Sequence, residues 1–210
     1  MYTLYGSRGS GSAIAEAALE CCGIGFRTVR ASAWEADSAI DELKKINPLG
    51  QIPTLVLPDG SVMTESAAIL IHLGLAHPAS GLLPTSASAR AQTLRGLVFI
   101  AANCYSAISQ SDYPERYTTD KSEAAHEAVR AGARRVLHRH WDIFADTFTS
   151  RPFLDGATPG ALDIMATVVS KWSGARAHLA KHRPEFLALL QRVEQHPTLQ
   201  RVFARHFDAT

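Results

Sequence analysis

The residues best suited to chemistry form the stretch Asn47-Pro48-Leu49-Gly50-Gln51-Ile52-Pro53-Thr54-Leu55, and Thr64-Glu65-Ser66 follows shortly after it. Proline lacks an N–H and is confined to the start, edge or bulge of a strand, so Pro53 marks the start of a strand. We expect the Ile52–Pro53 bond to be cis, which would leave the Ile52 N–H and C=O without strand partners. An extended peptide could then pair with Ile52 as one more strand.

Glu65 and Ser66 stand where a hairpin closed by Asp59-Gly60 gives way to a helical pattern. The amide groups at a helix start, together with a hydroxyl group, are suited to hold an anion such as a carboxylate. Taken alone, Glu65-Ser66 is an ordinary capping signal. Because the pair follows the hairpin that begins at Pro53, we favour a binding site over a simple cap.

The pattern around these residues predicts the elements that position them. Strand-like alternation and helical spacing succeed one another in the order βαβ and then ββα, which predicts a compact α/β sandwich whose first two strands run parallel. The predicted strands cover 2–5, 26–30, 54–57 and 61–63, and the predicted helices cover 14–22, 37–45 and 65–76.

The second part of the chain carries only helical patterns. Residues 79–86 form a linker between a first domain, 1–78, and a second domain, 87–210. Residues 161–173 are nearly all apolar and predict a buried central helix. The other predicted helices cover 87–111, 121–148, 175–182 and 184–195.

Composition sets the class of protein. The chain has 210 residues, 46% hydrophobic and 20% charged, with a net charge of +1, which argues against a nucleic-acid-binding surface. No run approaches the roughly 18 apolar residues of a membrane span, and the start lacks a signal-peptide pattern. Three cysteines do not make a disulfide framework, so we expect a reducing cytoplasm.

A βαβ-ββα unit with a proline before its third strand is a thioredoxin-like fold. With Asn47-Pro48-x-Gly50-Gln51-x-Pro53, Thr64-Glu65-Ser66, Asp163 and an all-helical second part, the chain resembles a glutathione S-transferase over its whole length. The spacing of Ser10, Pro53, Glu65 and Trp172 is most similar to the bacterial beta class. The resemblance implies a cytoplasmic, bacterial, homodimeric detoxification enzyme with glutathione as co-substrate and no metal.

The resemblance also implies roles for the residues of the first domain. Ile52 beside Pro53 pairs with the cysteine backbone of glutathione, with Gln51 next to it. Glu65 holds the γ-glutamyl ammonium group, and Ser66 with the helix start holds the carboxylate. Ser10 is placed at the thiol as the catalytic residue, and Ser7 and Ser12 compete with it; Ser12 is expected to cap the first helix.

The all-α domain contributes the pocket for the electrophile in this resemblance. Tyr105, Tyr113 and Trp172 are the candidates for its wall, although aromatic residues on helices are more often core. Asn103 matches a position from which the beta class reaches glutathione in the partner subunit. Cys104 is expected to be a buried, inert thiol.

The chain departs from the family pattern at two positions. Ser10 stands where the beta class typically has cysteine, which argues against mixed-disulfide chemistry and favours activation of the thiol by a hydroxyl group. Gly160 stands where the family usually has Ser or Thr, three residues before the structural Asp163, to complete a capping box. Thr158 could supply the missing oxygen from further out.

Three functional alternatives follow from the same residues. The first is a transferase that conjugates glutathione to a hydrophobic electrophile. The second is a non-catalytic glutathione-binding or interaction module. The third is a glutathione-dependent isomerase, lyase or peroxidase. A metal site at His178 and His182 is set aside because no third ligand lies near them in the sequence.

Overall fold

The computed structural model describes residues 1–207, so the last three residues of the predicted second domain lie outside it. Strands β1 (Tyr2–Gly6), β2 (Phe26–Arg30), β3 (Thr54–Val56) and β4 (Val62–Met63) form one sheet in the order β2-β1-β3-β4. Strand β1 pairs parallel with β2 and antiparallel with β3, and β3 pairs antiparallel with β4. The predicted parallel pair and the thioredoxin-like strand order are confirmed.

Helices cover both faces of this sheet. Helices α1 (Ser12–Cys22) and α3 (Ser66–Ala76) pack on one face, where Leu4 and Leu55 join the main core. Helix α2 (Ile40–Ile46) packs on the other face, where Tyr5 and Leu43 form a second cluster. Leu4 and Tyr5 point to opposite faces because successive strand side chains alternate.

The chain from residue 87 onward is helical. Its helices are α4 (Ala87–Phe99), α5 (Tyr105–Asp112), α6 (Glu123–Thr147), α7 (Ala161–Val169), α8 (Ala175–His182), α9 (Pro184–Glu194) and α10 (Gln200–His206). Every residue of α7 is buried, which confirms the predicted central helix. The main core continues from the sheet face through α7, so both parts of the chain share it.

The largest differences from the sequence prediction lie in the helical part of the chain. The predicted helix 87–111 is divided by a π-helical turn, Ile100–Cys104, which inserts extra backbone directly before Tyr105. Helix α7 ends at Val169 instead of residue 173, and the left-handed conformations of Ser173 (φ 53°) and Gly174 (φ 79°) follow it and separate it from α8. Helix α10 is absent from the sequence prediction.

Helix α10 is tied to α1 by a partly buried charged cluster. Arg205 Nε donates to Glu16 Oε1 at 2.8 Å, and His206 Nε2 lies 2.8 Å from Glu16 Oε2. Burial would raise the pKa of Glu16, but the hydrogen bonds from His206 and Arg205 outweigh it and hold that pKa below its ordinary value. The cluster therefore anchors the end of the described chain against α1, which begins at Ser12.

We expect Glu16→Gln to lower the free energy of unfolding by about 1–2 kcal/mol, since Arg205 is half exposed and its ion pair is screened. The Glu16 pKa is lowered by folding, so its contribution is present above the ordinary value of 4.5 and is lost as the pH falls through the lower folded value. Urea unfolding at several pH values tests this. Glu20→Gln, at a partner of Arg205 that is less buried than Glu16, is the control, and equal losses for both variants would contradict the prediction.

In the described residues 1–207, no helix combines the length and apolar character needed to cross a membrane.

Candidate functional site

A cleft of about 600 Å³ opens where the loops at one end of the sheet face the helices of the second part. One wall comes from the loop before α1, the loop before β3 and the start of α3, and the other comes from the π-helical turn before α5, α5 itself, α7 and the segment that follows α7. The sequence-predicted residues that line it are Ser10, Gln51, Ile52, Pro53, Glu65, Ser66, Tyr105, Tyr113 and Trp172.

The loop before β3 is held by the buried Asn47. Its Nδ2 donates to the Gln51 carbonyl oxygen at 3.0 Å and to Thr54 Oγ1 at 2.9 Å. The Ile52–Pro53 peptide bond is cis. Among the described residues, neither the N–H nor the C=O of Ile52 has a backbone hydrogen-bond partner, so both groups are free to pair with a ligand that lies along the cleft.

Glu65 and Ser66 stand side by side at the start of α3 but differ in exposure. Ser66 is buried as the first residue of the helix, and the Glu65 side chain is exposed at the cleft. The Glu65 backbone has φ 62° and ψ 110°, a conformation that is uncommon outside glycine. Such conformations concentrate at functional sites, where the surrounding structure holds them.

The three serines before α1 form a closed hydrogen-bonded group. Ser10 Oγ donates to the Ser7 carbonyl oxygen at 2.6 Å and lies 2.7 Å from Ser12 Oγ. Ser12 Oγ in turn donates to the Ser7 carbonyl oxygen at 2.8 Å. A hydroxyl group has one proton, so Ser10 can donate to a ligand only if it releases Ser7, whose carbonyl oxygen Ser12 can then satisfy.

The predicted cap of α1 is wrong. The N-cap residue is Gly11, and the Ser12 hydroxyl group bonds to the Ser7 backbone instead of to the helix amides. The reason is that the loop turns back on itself and brings Ser7 next to Ser12. The first amide groups of α1 are consequently turned towards Ser10, since the Ser12 N–H donates to Ser10 Oγ at 3.2 Å.

Aromatic side chains form the helical wall of the cleft. The rings of Tyr105 and Trp172 lie 6.0 Å apart between centroids. Tyr113 is partly exposed, and the Arg116 guanidinium lies 3.9 Å from its ring centroid. Arg116 and the exposed Trp34 also line the cleft. Sequence reasoning missed both, because each lies in an irregular segment where no periodicity marks a buried or a binding face.

Asn103 and Asp163 lie outside the cleft. Asn103 Nδ2 donates to the Phe99 carbonyl oxygen at 3.0 Å within the π-helical turn, so its contact with a ligand of a partner subunit stays a prediction. Asp163 is fully buried and accepts hydrogen bonds from backbone amides, in keeping with the structural role expected of it.

The other candidate reactive residues, Cys104 and the pair His178 and His182, lie outside the cleft. Cys104 is fully buried, and burial raises the pKa of its thiol to about 12, which confirms the predicted inert cysteine. His178 bonds to Asp142 at 3.0 Å, its ring stacks on His138 at 4.4 Å between centroids, and the His182 ring lies tilted beside it at 4.5 Å. Within residues 1–207, no group of three or more His, Cys, Asp or Glu side chains is arranged to hold a metal ion.

A thioredoxin-like sheet followed by a helical part, with a cleft between cis-Pro53 and aromatic helices, defines the class of protein. Residues 12–75 match the family model described as the N-terminal domain of glutathione S-transferase. An uncharacterized GST-like protein, YncG, of Escherichia coli K12 is 31% identical over 209 residues, which is 98% of each chain. The chain belongs to the glutathione S-transferase family.

Two solved structures share the fold. A glutathione S-transferase of Methylobacterium radiotolerans, in complex with glutathione sulfonate, is 25% identical with a TM-score of 0.77, covering 100% of this chain and 96% of its own. A glutathione transferase homologue from Sulfitobacter, with bound glutathione, is 23% identical with a TM-score of 0.84, covering 96% of each chain. The second likeness concerns the fold alone.

Proposed function

We propose that this protein is a glutathione transferase that activates the glutathione thiol for attack on a hydrophobic electrophile. The observation that carries the proposal is the convergence, in one cleft, of the unpaired Ile52 backbone, the start of α3 and the start of α1. Membership of the family and the complex of the Methylobacterium relative with glutathione sulfonate support it.

Each end of the tripeptide has a matching group in the cleft. The cysteine backbone of glutathione pairs with Ile52 beside Pro53, next to Gln51. The Glu65 carboxylate takes the γ-glutamyl ammonium group, and the Ser66 hydroxyl with the amides of α3 takes the adjoining carboxylate. The thiol then lies towards α1 and Ser10, and the aromatic wall of Tyr105, Tyr113 and Trp172 receives the electrophile.

The thiol must lose a proton to react. A free thiol has a pKa near 8.5, and lowering it by about two units requires about 2.7 kcal/mol of preference for the thiolate. One hydrogen bond to a charged group supplies about 1.5–3 kcal/mol, and a helix N-terminus adds about 0.3–1 kcal/mol. The thiolate then attacks the electrophilic carbon, a C–S bond forms, and the leaving group departs with its electron pair.

Ser10→Ala is expected to raise the pKa of the thiol group of bound glutathione by about one unit, since one donor to the thiolate is lost. Ultraviolet absorbance of the thiolate, followed against pH in the binary complex, measures this. Ser86→Ala, at an exposed position outside the cleft, is the control. An unchanged thiol pKa in Ser10→Ala would remove Ser10 from the activation step.

One observation favours a second candidate, a non-catalytic glutathione-binding module. The Ser10 hydroxyl group donates to the Ser7 carbonyl oxygen and so has no proton left to donate to a thiolate. Calorimetric titration with glutathione, followed by conjugation assays with an aryl halide, an epoxide and a peroxide, separates the candidates. Binding with conjugation supports the transferase. Binding without turnover of any of these substrates supports the module, and peroxide turnover alone supports a peroxidase.

We also propose that the protein is a homodimer, as expected for the family, with Asn103 near the subunit seam. Sedimentation equilibrium tests the dimer. Asn103→Ala tests the contact, because a role in the partner's site predicts weaker glutathione binding by the dimer with its assembly intact.

A further inference from the structure

The Tyr105 hydroxyl group extends from α5 to the opposite wall of the cleft. A Cβ atom placed on Gly11 would lie 3.0 Å from the Tyr105 hydroxyl oxygen, 3.4 Å from Pro53 Cδ and 3.7 Å from Ser66 Oγ. The phenol oxygen of α5 therefore reaches the junction of the α1 start, the cis-proline loop and the α3 start. These are the three segments to which the proposed function assigns glutathione.

This hydroxyl group has no hydrogen-bond partner among residues 1–207. Its oxygen is withdrawn from solvent and makes no hydrogen bond within the described residues, although the ring itself is only partly buried. Buried polar atoms are nearly always paired, so an unpaired one calls for an explanation, and a bound ligand is one. Burial raises the pKa of Tyr105 to about 12, an effect that the nearby Ser66 hydroxyl only partly offsets. The phenol therefore stays protonated at neutral pH and can donate.

A second free donor belongs to the loop that forms one side of this junction. The Ser12 N–H is taken by Ser10 Oγ, and the Ala13 N–H by the Ser10 carbonyl oxygen at 3.2 Å. Across residues 1–207, no acceptor is found for the Gly11 N–H. Gly11 has no side chain, which allows the Tyr105 hydroxyl group to lie this close to the start of α1.

We propose that Tyr105 is a catalytic residue whose hydroxyl group, together with the Gly11 N–H, donates a hydrogen bond to the glutathione sulfur. This inference rests on the proposed function and reassigns Tyr105 from the electrophile wall to the thiol. The Tyr105 proton stays on the phenol, and the thiol proton leaves to solvent. The π-helical turn before Tyr105 and the contact of its ring with Trp172 fix the direction of the phenol.

Tyr105→Phe tests the proposal because it removes only the hydroxyl group. We expect the pKa of the thiol group of bound glutathione to rise by about one unit or more, as measured by thiolate absorbance against pH. Affinity for S-methylglutathione, which has no ionisable thiol, should stay unchanged. The ligand-free variant should unfold at the same or a higher temperature than the wild type, because an unpaired buried hydroxyl group opposes folding.

Tyr2→Phe, the same change on β1 outside the cleft, is the matched control and should leave the thiol pKa unchanged. An unchanged thiol pKa in Tyr105→Phe with glutathione still bound overturns this inference and leaves the proposed function intact. Failure of the wild type to bind glutathione overturns both. A loss of S-methylglutathione affinity equal to that for glutathione would also overturn the inference, since it would assign the hydroxyl group to the peptide and not to the sulfur.

Discussion

Glu65→Gln is expected to weaken glutathione binding about ten- to a hundredfold, which corresponds to the loss of about 1.5–3 kcal/mol for a hydrogen bond between charged groups. The Glu65 carboxylate faces the cleft and makes no hydrogen bond or ion pair with another described residue, so its charge is available to an ammonium group. Glutamine keeps the shape and the backbone conformation at φ 62° and removes only the charge. Calorimetric titration with glutathione measures the change.

Two comparisons make the Glu65 result specific. Glu185→Gln changes an exposed glutamate in the first turn of α9, far from the cleft, and should leave the affinity unchanged. A glutathione analogue without the γ-glutamyl amino group should bind wild type and Glu65→Gln equally, because the group that Glu65 holds is missing. If Glu65→Gln binds glutathione as tightly as the wild type, the assignment of the ammonium group to Glu65 is wrong.

The sequence predicts this part of the cleft because its signals are local. Proline at position 53 restricts its strand to a start or an edge, and Asp59-Gly60 specifies a turn whatever surrounds it. The succession of strands and helices and the buried α7 follow from periodicity in the same way. These features were predicted to within a few residues, and the structure confirms the fold built from them.

The rest depends on contacts between distant segments, which no local pattern encodes. The direction of the Ser10 hydroxyl group is set by the return of the loop onto Ser7, and the position of the Tyr105 hydroxyl group by a π-helical turn. Helix α10 is held by Glu16, far away in the sequence. The expected contribution of Thr158 to the cap of α7 also fails, since Asp155 supplies the oxygen instead.

Asp155 explains why glycine stands at the start of α7. Its Oδ2 accepts from the Leu162 N–H at 3.0 Å and so caps the helix from outside the usual position. A Cβ atom on Gly160 would lie 2.5 Å from this same oxygen, so a serine or threonine there would displace it. The departure from the family pattern at Gly160 is therefore matched by a second carboxylate, placed next to Asp163.

Asp163→Ala is expected to lower the free energy of unfolding by at least about 3 kcal/mol, because buried backbone donors each lose an acceptor at about 1–3 kcal/mol. Asp163 Oδ1 accepts from the Leu154 N–H at 2.7 Å, and Oδ2 accepts from the N–H groups of Asp155 and Gly160 at 3.1 Å each. Urea unfolding measures the loss, with Asp41→Ala, an exposed aspartate in the first turn of α2, as the control.

The pH dependence of this loss separates the carboxylate from simple packing. Burial and the neighbouring Asp155 charge raise the pKa of Asp163 from 3.8 to about 7, against the pull of its three backbone donors. A raised folded pKa means that ionisation opposes folding, so the advantage of the wild type over Asp163→Ala is largest in acid and narrows as the pH rises towards 7. A gap that stays constant with pH would show that the side chain acts by filling space, because an alanine cavity does not titrate.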